Sequence, residues 1–125
     1  MLLADDHEIF LDALAQLVDA DPRLEVVACA GDGEEAIALA EELHPDVVML
    51  DAVMPVTDGL EAARRIRARS PETGVVLISG VEQDDWEQRA AEVGASVWMT
   101  KEDAISRLPE ELARAARAAV GRSAV

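Results

Sequence analysis

The sequence predicts a doubly wound α/β domain: one five-stranded parallel sheet with five helices on its two faces, a three-layer sandwich. Two observations carry this. Short, Val-rich, nearly continuous apolar runs recur along the chain, as strands buried on both faces require, and the gaps between them hold apolar residues three and four positions apart. A strand-helix alternation of this spacing calls for right-handed crossovers and therefore parallel strands. No repeat, low-complexity tract or linker interrupts it. With 125 residues, half of them hydrophobic, the chain can bury one core but not two, so residues 1–125 read as a single domain with no second, effector domain.

The elements follow in order. Strands are expected at 2–4 (LLA), 24–30 (LEVVACA), 47–50 (VVML), 75–79 (VVLIS) and 96–100 (SVWMT). The first helix should bury Phe10, Ala13, Leu14 and Leu17, and the second Ala36, Ile37, Ala40 and Leu43. The third should bury Leu60, Ala63 and Ile66. The fourth, from Asp84 to Val93, should bury Ala90, Ala91 and Val93, and the fifth Leu112, Ala116, Ala119 and Val120. Pro22, His44-Pro45, Ser70-Pro71 and Gly94 punctuate helix ends, Asp58 reads as the cap of the third helix, and Pro109 suits the first position of the fifth.

Composition narrows the function. Eleven Lys+Arg against 26 Asp+Glu give a formal charge of −15, whose field repels phosphate backbones and anionic lipid. Direct nucleic-acid or membrane binding is not expected. There is no 18-residue apolar run and no basic-then-apolar leader, and the single Cys29 cannot form an internal disulfide, so a cytoplasmic protein is expected. Cys29 itself reads as a small core residue.

In such sheets the functional crevice lies beyond the carboxyl ends of the strands. The first strand ends in Asp5 and Asp6, the third in Asp51, the fourth in Ser79 and the fifth close to Lys101. Two like charges about 4 Å apart repel by roughly 4 kcal/mol at an effective dielectric near 20. Three carboxylates therefore call for a cation, and an all-oxygen set suits Mg²⁺. His7 and His44 lack a second ligand at metal spacing and are read as a rim residue and a helix-end residue without chemistry. Glu34, Glu35, Glu41 and Glu42 read as a solvated helix face, and Trp86 as helix packing or a partner contact.

The segments LLADDHEIF, VVMLDAVMPVTDGLEAARRI, VVLISG and GASVWMTK resemble, in order and spacing over essentially the whole chain, the receiver domain of bacterial two-component response regulators. The resemblance implies a flavodoxin-like fold. It implies that Asp51 is the phosphoacceptor served by a sensor histidine kinase, and that Asp5, Asp6, Asp51 and the Val53 carbonyl hold Mg²⁺. It also implies that Lys101 stabilises the phosphoryl group and that Ser79 and Trp98 form the conformational switch. Self-association through the fourth helix, fifth strand and fifth helix, or through helices one and five, is implied in the same way.

Four features depart from the family pattern. Val56 stands where Gly is usual, so a stiffer or differently bent turn is expected. Glu102 follows Lys101 in place of Pro, as in the LuxR/NarL-type regulators that carry helix-turn-helix effectors. The connection EDAISRLPEEL is longer than usual, and the first strand begins almost at Met1. Two other classes share the fold or the chemistry. A haloacid dehalogenase-type phosphatase wants a second Asp two residues after its nucleophile, where Val53 stands. A flavodoxin-like cofactor binder wants a Ser/Thr/Gly-rich loop after the first strand, which is absent.

Overall fold

The computed structural model describes residues 1–80 and 85–123, with side chains described as far as residue 118. The expected start of the fourth helix at Asp84, and the Ala119 and Val120 side chains, lie outside the described residues. Five strands, β1 (Leu2–Ala4), β2 (Ala28–Ala30), β3 (Val47–Asp51), β4 (Gly74–Ser79) and β5 (Val97–Thr100), alternate with α1 (Glu8–Asp19), α2 (Gly33–Leu43), α3 (Gly59–Arg69), α4 (Trp86–Glu92) and α5 (Lys101–Ser123). All pairings are parallel, in the order β2-β1-β3-β4-β5. The order reverses between β1 and β3, and the crevice opens beyond their carboxyl ends.

The sheet separates two aliphatic cores. One is built on Leu3, Met49, Val76 and Ile78 with Leu14 of α1 and Leu108 and Leu112 of α5; the other on Leu2, Val48, Leu50 and Leu77 with Ala36, Ala40, Ala63 and Ile66. Alternate residues of each central strand thus face opposite layers, and β3 and β4 are buried throughout. That is the burial their unbroken apolar runs require.

Several expectations are corrected. β2 is an edge strand of three residues rather than seven. Cys29 on it is exposed, and Val27 before it is 45% exposed, because one side of an edge strand has no neighbour. Helix α1 buries Leu11, Leu14 and Val18, leaving Ala13 exposed and Phe10 and Leu17 at the margin. In α2 Leu43 is 41% exposed, and in α4 Ala91 faces solvent while Trp86 joins Ala90 inside.

The largest change is at α5, which begins at Lys101 and carries Pro109 in its interior. Thr100 Oγ1 accepts from Asp103 N–H at 3.1 Å, capping the helix, and Glu102 and Asp103 place negative charge in its first turn. Ala104, Leu108, Leu112 and Ala115 then form one buried stripe running across the proline. Burial of that stripe outweighs the roughly 3 kcal/mol that an interior Pro costs. The long connection expected before Pro109 is therefore helix.

Candidate functional site

β1 and β3 deliver the first two carboxylates. Asp5 follows β1 directly and Asp51 closes β3, and both are almost fully buried at the switch point. The Asp51 carboxylate is tied back by the Val53 N–H, which donates to Oδ1 at 3.1 Å. Gly59 lets the chain pass close behind it, since a Cβ there would stand 2.1 Å from the Asp51 carbonyl oxygen. Lys101, the first residue of α5, reaches into the crevice with Nζ 2.9 Å from Asp5 Oδ2 and 3.0 Å from Asp51 Oδ2, and its ammonium lies 5.0 Å from the Phe10 ring centre.

The electrostatics follow from burial. Desolvation pushes the Asp51 carboxyl above the ordinary carboxylate range, with Asp5 adding to the effect, against the pull of the Val53 N–H and Lys101. For Asp5, burial acts upward too, but the His7 backbone N–H at 2.9 Å and the Lys101 ammonium outweigh it and hold the group low. Burial pulls Lys101 down, and its two carboxylate partners more than reverse this.

Asp6 lies at the rim. The structure also brings in His7, which the sequence reading left without chemistry: its Nδ1 lies 3.1 Å from Asp5 Oδ1, 3.3 Å from Asp6 Oδ1 and 3.0 Å from Lys101 Nζ. Asp5, Asp6, His7 and Asp51 each offer a ligand atom within 4.8 Å of the others. Three carboxylates against one ammonium leave two negative charges. Asp5 Oδ2, although close to Lys101, is buried without a hydrogen-bond donor in good geometry. A hard divalent cation with carboxylate and water ligands fits this donor set.

Ser79, the last residue of β4, is buried and pairs in register with Thr100, while its neighbour Ile78 pairs with Asp51. Trp98 on β5 is half-buried and stacks on Trp86 of α4, ring centres 4.7 Å apart and planes 6° from parallel. Trp86 is thus helix packing, as read, and its partner is the expected switch residue.

The loop after Asp51 is held from the side. Asp58 caps α3 by accepting from Glu61 N–H at 2.9 Å. Glu34 is more than a solvated residue, because it accepts from Thr57 Oγ1 at 2.7 Å and Arg65 Nη1 at 2.8 Å. Gly33 lets α2 press on this loop, since a Cβ would fall 1.9 Å from the Thr57 carbonyl oxygen. Val56 stands at the bend of this loop. It adopts φ 70° at the centre of a three-residue turn closed by Thr57 N–H to Pro55 carbonyl at 2.8 Å, a strained conformation for a β-branched residue. A separate cavity of about 690 Å³ opens beside Met1, Val27, Leu43, His44 and Arg117, away from this chemistry. His44 ends α2 in the left-handed conformation, as a helix-end residue.

A buried aspartate at the end of β3, faced by an acidic residue from β1 and a lysine from beyond β5 on a 2-1-3-4-5 sheet, defines a receiver-type signalling domain. The chain belongs to the response regulator receiver domain family, which it matches over residues 1–113. The transcriptional regulatory protein LiaR of Bacillus subtilis (strain 168) is 36% identical over 117 residues, 94% of this chain and 56% of that protein. A protein-glutamate methylesterase/protein-glutamine glutaminase 2 of Anaeromyxobacter dehalogenans (strain 2CP-C) is 39% identical over 88% of this chain and 32% of its own length. Among solved structures, the signal receiver domain of NarL from Mycobacterium tuberculosis superposes with a TM-score of 0.87 at 28% identity, covering 93% of this chain and 94% of that one. The chain spans about half the length of the curated relatives it matches. No helix among the described residues is long and apolar enough to cross a membrane.

Proposed function

We propose that this receiver takes a phosphoryl group from the phosphohistidine of a sensor histidine kinase onto Asp51, with Mg²⁺ held by Asp5, Asp6, Asp51 and the Val53 carbonyl. The observation that carries this is Asp51 itself: a buried carboxylate at the switch point, with Lys101 3.0 Å away. An Asp51 oxygen forms the new O–P bond as the P–N bond of the donor breaks, and the imidazole leaves with the electron pair. Lys101 stabilises charge on the equatorial oxygens, and the cation, when bound, neutralises the rest. Ser79 donates to a phosphoryl oxygen, and Trp98 repacks in response.

The domain acts as a cytoplasmic signalling phosphoacceptor rather than a turnover enzyme. Its output passes through a partner, a second copy or an attached helix-turn-helix domain controlling transcription. The phosphatase reading is disfavoured by Val53, which is 66% exposed where an acid/base Asp would stand. Acetyl phosphate with Mg²⁺ should label the wild-type chain with one labile phosphoryl group, and Asp51→Asn should abolish labelling. Wild-type stoichiometry in that variant would refute the assignment.

A further inference from the structure

The residue types at the start of α1 leave one fact unexplained. His7 occupies the N-cap position, where Ser, Thr, Asp or Asn would accept from the helix, yet its side chain makes no capping bond. The ring turns instead toward the crevice, with the side chain 66% exposed and Nδ1 at the inner end. Nδ1 lies 3.0 Å from Lys101 Nζ, and in the tautomer that leaves it unprotonated it accepts from that ammonium. The same nitrogen lies 3.1 Å from Asp5 Oδ1 and 3.3 Å from Asp6 Oδ1, so in that tautomer it stands beside two carboxylate acceptors. Three acceptor atoms then converge beside the single Lys101 ammonium, and a bound divalent cation would complete their neutralisation.

Their spacing suits such an ion. Adjacent ligands of an octahedral divalent cation bonded at about 2.1 Å lie about 3.0 Å apart. His7 Nδ1 lies at about that spacing from both Asp5 Oδ1 and Asp6 Oδ1. The donor set is therefore mixed, carboxylate oxygens plus one imidazole nitrogen. Imidazole contributes little to Mg²⁺, which prefers oxygen, and much to first-row transition ions, whose affinities for nitrogen rise from Mn²⁺ to Ni²⁺.

We propose that His7 is a nitrogen ligand of the cation site, giving this receiver a stronger preference for Mn²⁺ and Ni²⁺ over Mg²⁺ than a purely oxygen site has. The proposal rests on reading the crevice as a cation site, and the experiment separates the two claims. Mn²⁺ bound to the wild-type chain is examined by electron spin echo spectroscopy for coupling to a ¹⁴N nucleus, and dissociation constants for Mg²⁺, Mn²⁺ and Ni²⁺ are measured calorimetrically. His7→Leu, at an exposed position, should lose the nitrogen coupling and bind Ni²⁺ at least about tenfold more weakly, with Mg²⁺ affinity changed less than about threefold. His44→Leu, which removes the only other imidazole, should keep the coupling. Absence of coupling in the wild type with Mg²⁺ still bound, or an equal loss for all three ions in His7→Leu, overturns the role of His7 alone. Failure of the wild type to bind any of the ions overturns the cation site as well.

Discussion

The acidic crevice and the tryptophan stack are held by opposite physics. In the crevice, the buried Asp5 and Asp51 and the half-buried Lys101 neutralise one another across 2.9 and 3.0 Å, so each charge is costly alone and tolerable together. Between α4 and β5, Trp86 and Trp98 meet by apolar area, and both indole N–H groups are buried without a hydrogen-bond partner among the described residues. The crevice has directional bonds that define one arrangement. The stack has contact area but no polar anchor, so the indoles can repack at small polar cost, which suits a region expected to change shape.

The sharpest way to break the comparison is to truncate one side of it. Trp86→Ala should destabilise the domain by roughly 3 to 5 kcal/mol, the range for emptying a large aromatic site, as measured by urea unfolding. It should leave metal binding in the crevice within a few-fold of wild type. A large loss of metal affinity would show that the two regions are one unit.

Lys101→Ala acts on the other side. It leaves Asp5 and Asp51 facing each other, and should cost about 3 kcal/mol in the presence of a chelator, the low end for a broken buried pair because the ammonium is partly exposed. Added Mg²⁺ should restore much of that stability, since a divalent ion supplies the missing positive charge. Equal unfolding midpoints with and without Mg²⁺ would contradict the account of the crevice.

Much of this contrast is legible in the sequence, and the boundary has a physical basis. Asp5, Asp6, Asp51, Ser79 and Lys101 stand at strand ends, and strand ends are read from apolar runs that the two-faced burial of β3 and β4 enforces. The site residues therefore come with the fold. His7 is missed because adjacent residues converge only when a strand turns directly into a helix, which no ligand spacing reports. Glu34 is missed because its partner Thr57 lies 23 residues away, across the contact that Gly33 permits. The early start of α5 had a signal in Thr100-x-x-Asp103, but Pro109 is the stronger local cue, and only the buried stripe from Ala104 to Ala115 decides between them. The Trp86 and Trp98 pairing depends on how α4 lies on β5, which no local pattern encodes.

A smaller effect sharpens the crevice side. Val56 holds φ 70° in the loop that carries Val53, and a left-handed non-glycine residue costs roughly 1 to 2 kcal/mol. Val56→Gly should therefore stabilise the folded state by up to about 1 kcal/mol after the extra chain entropy of glycine is counted. Thermal unfolding would read this as a rise of a few degrees. A fall in stability would mean that the exposed valine makes a contact worth more than its strain.

The central claim, that Asp51 is the phosphoacceptor, is tested most directly by locating the phosphoryl group. Chain labelled by acetyl phosphate and Mg²⁺ is reduced with borohydride, which converts an aspartyl phosphate to homoserine, and is then sequenced by mass spectrometry. Homoserine at position 51, with Asp5 and Asp6 recovered unchanged, is the predicted result. Homoserine at either of those two positions, or a stable phosphoester that resists borohydride, would contradict it.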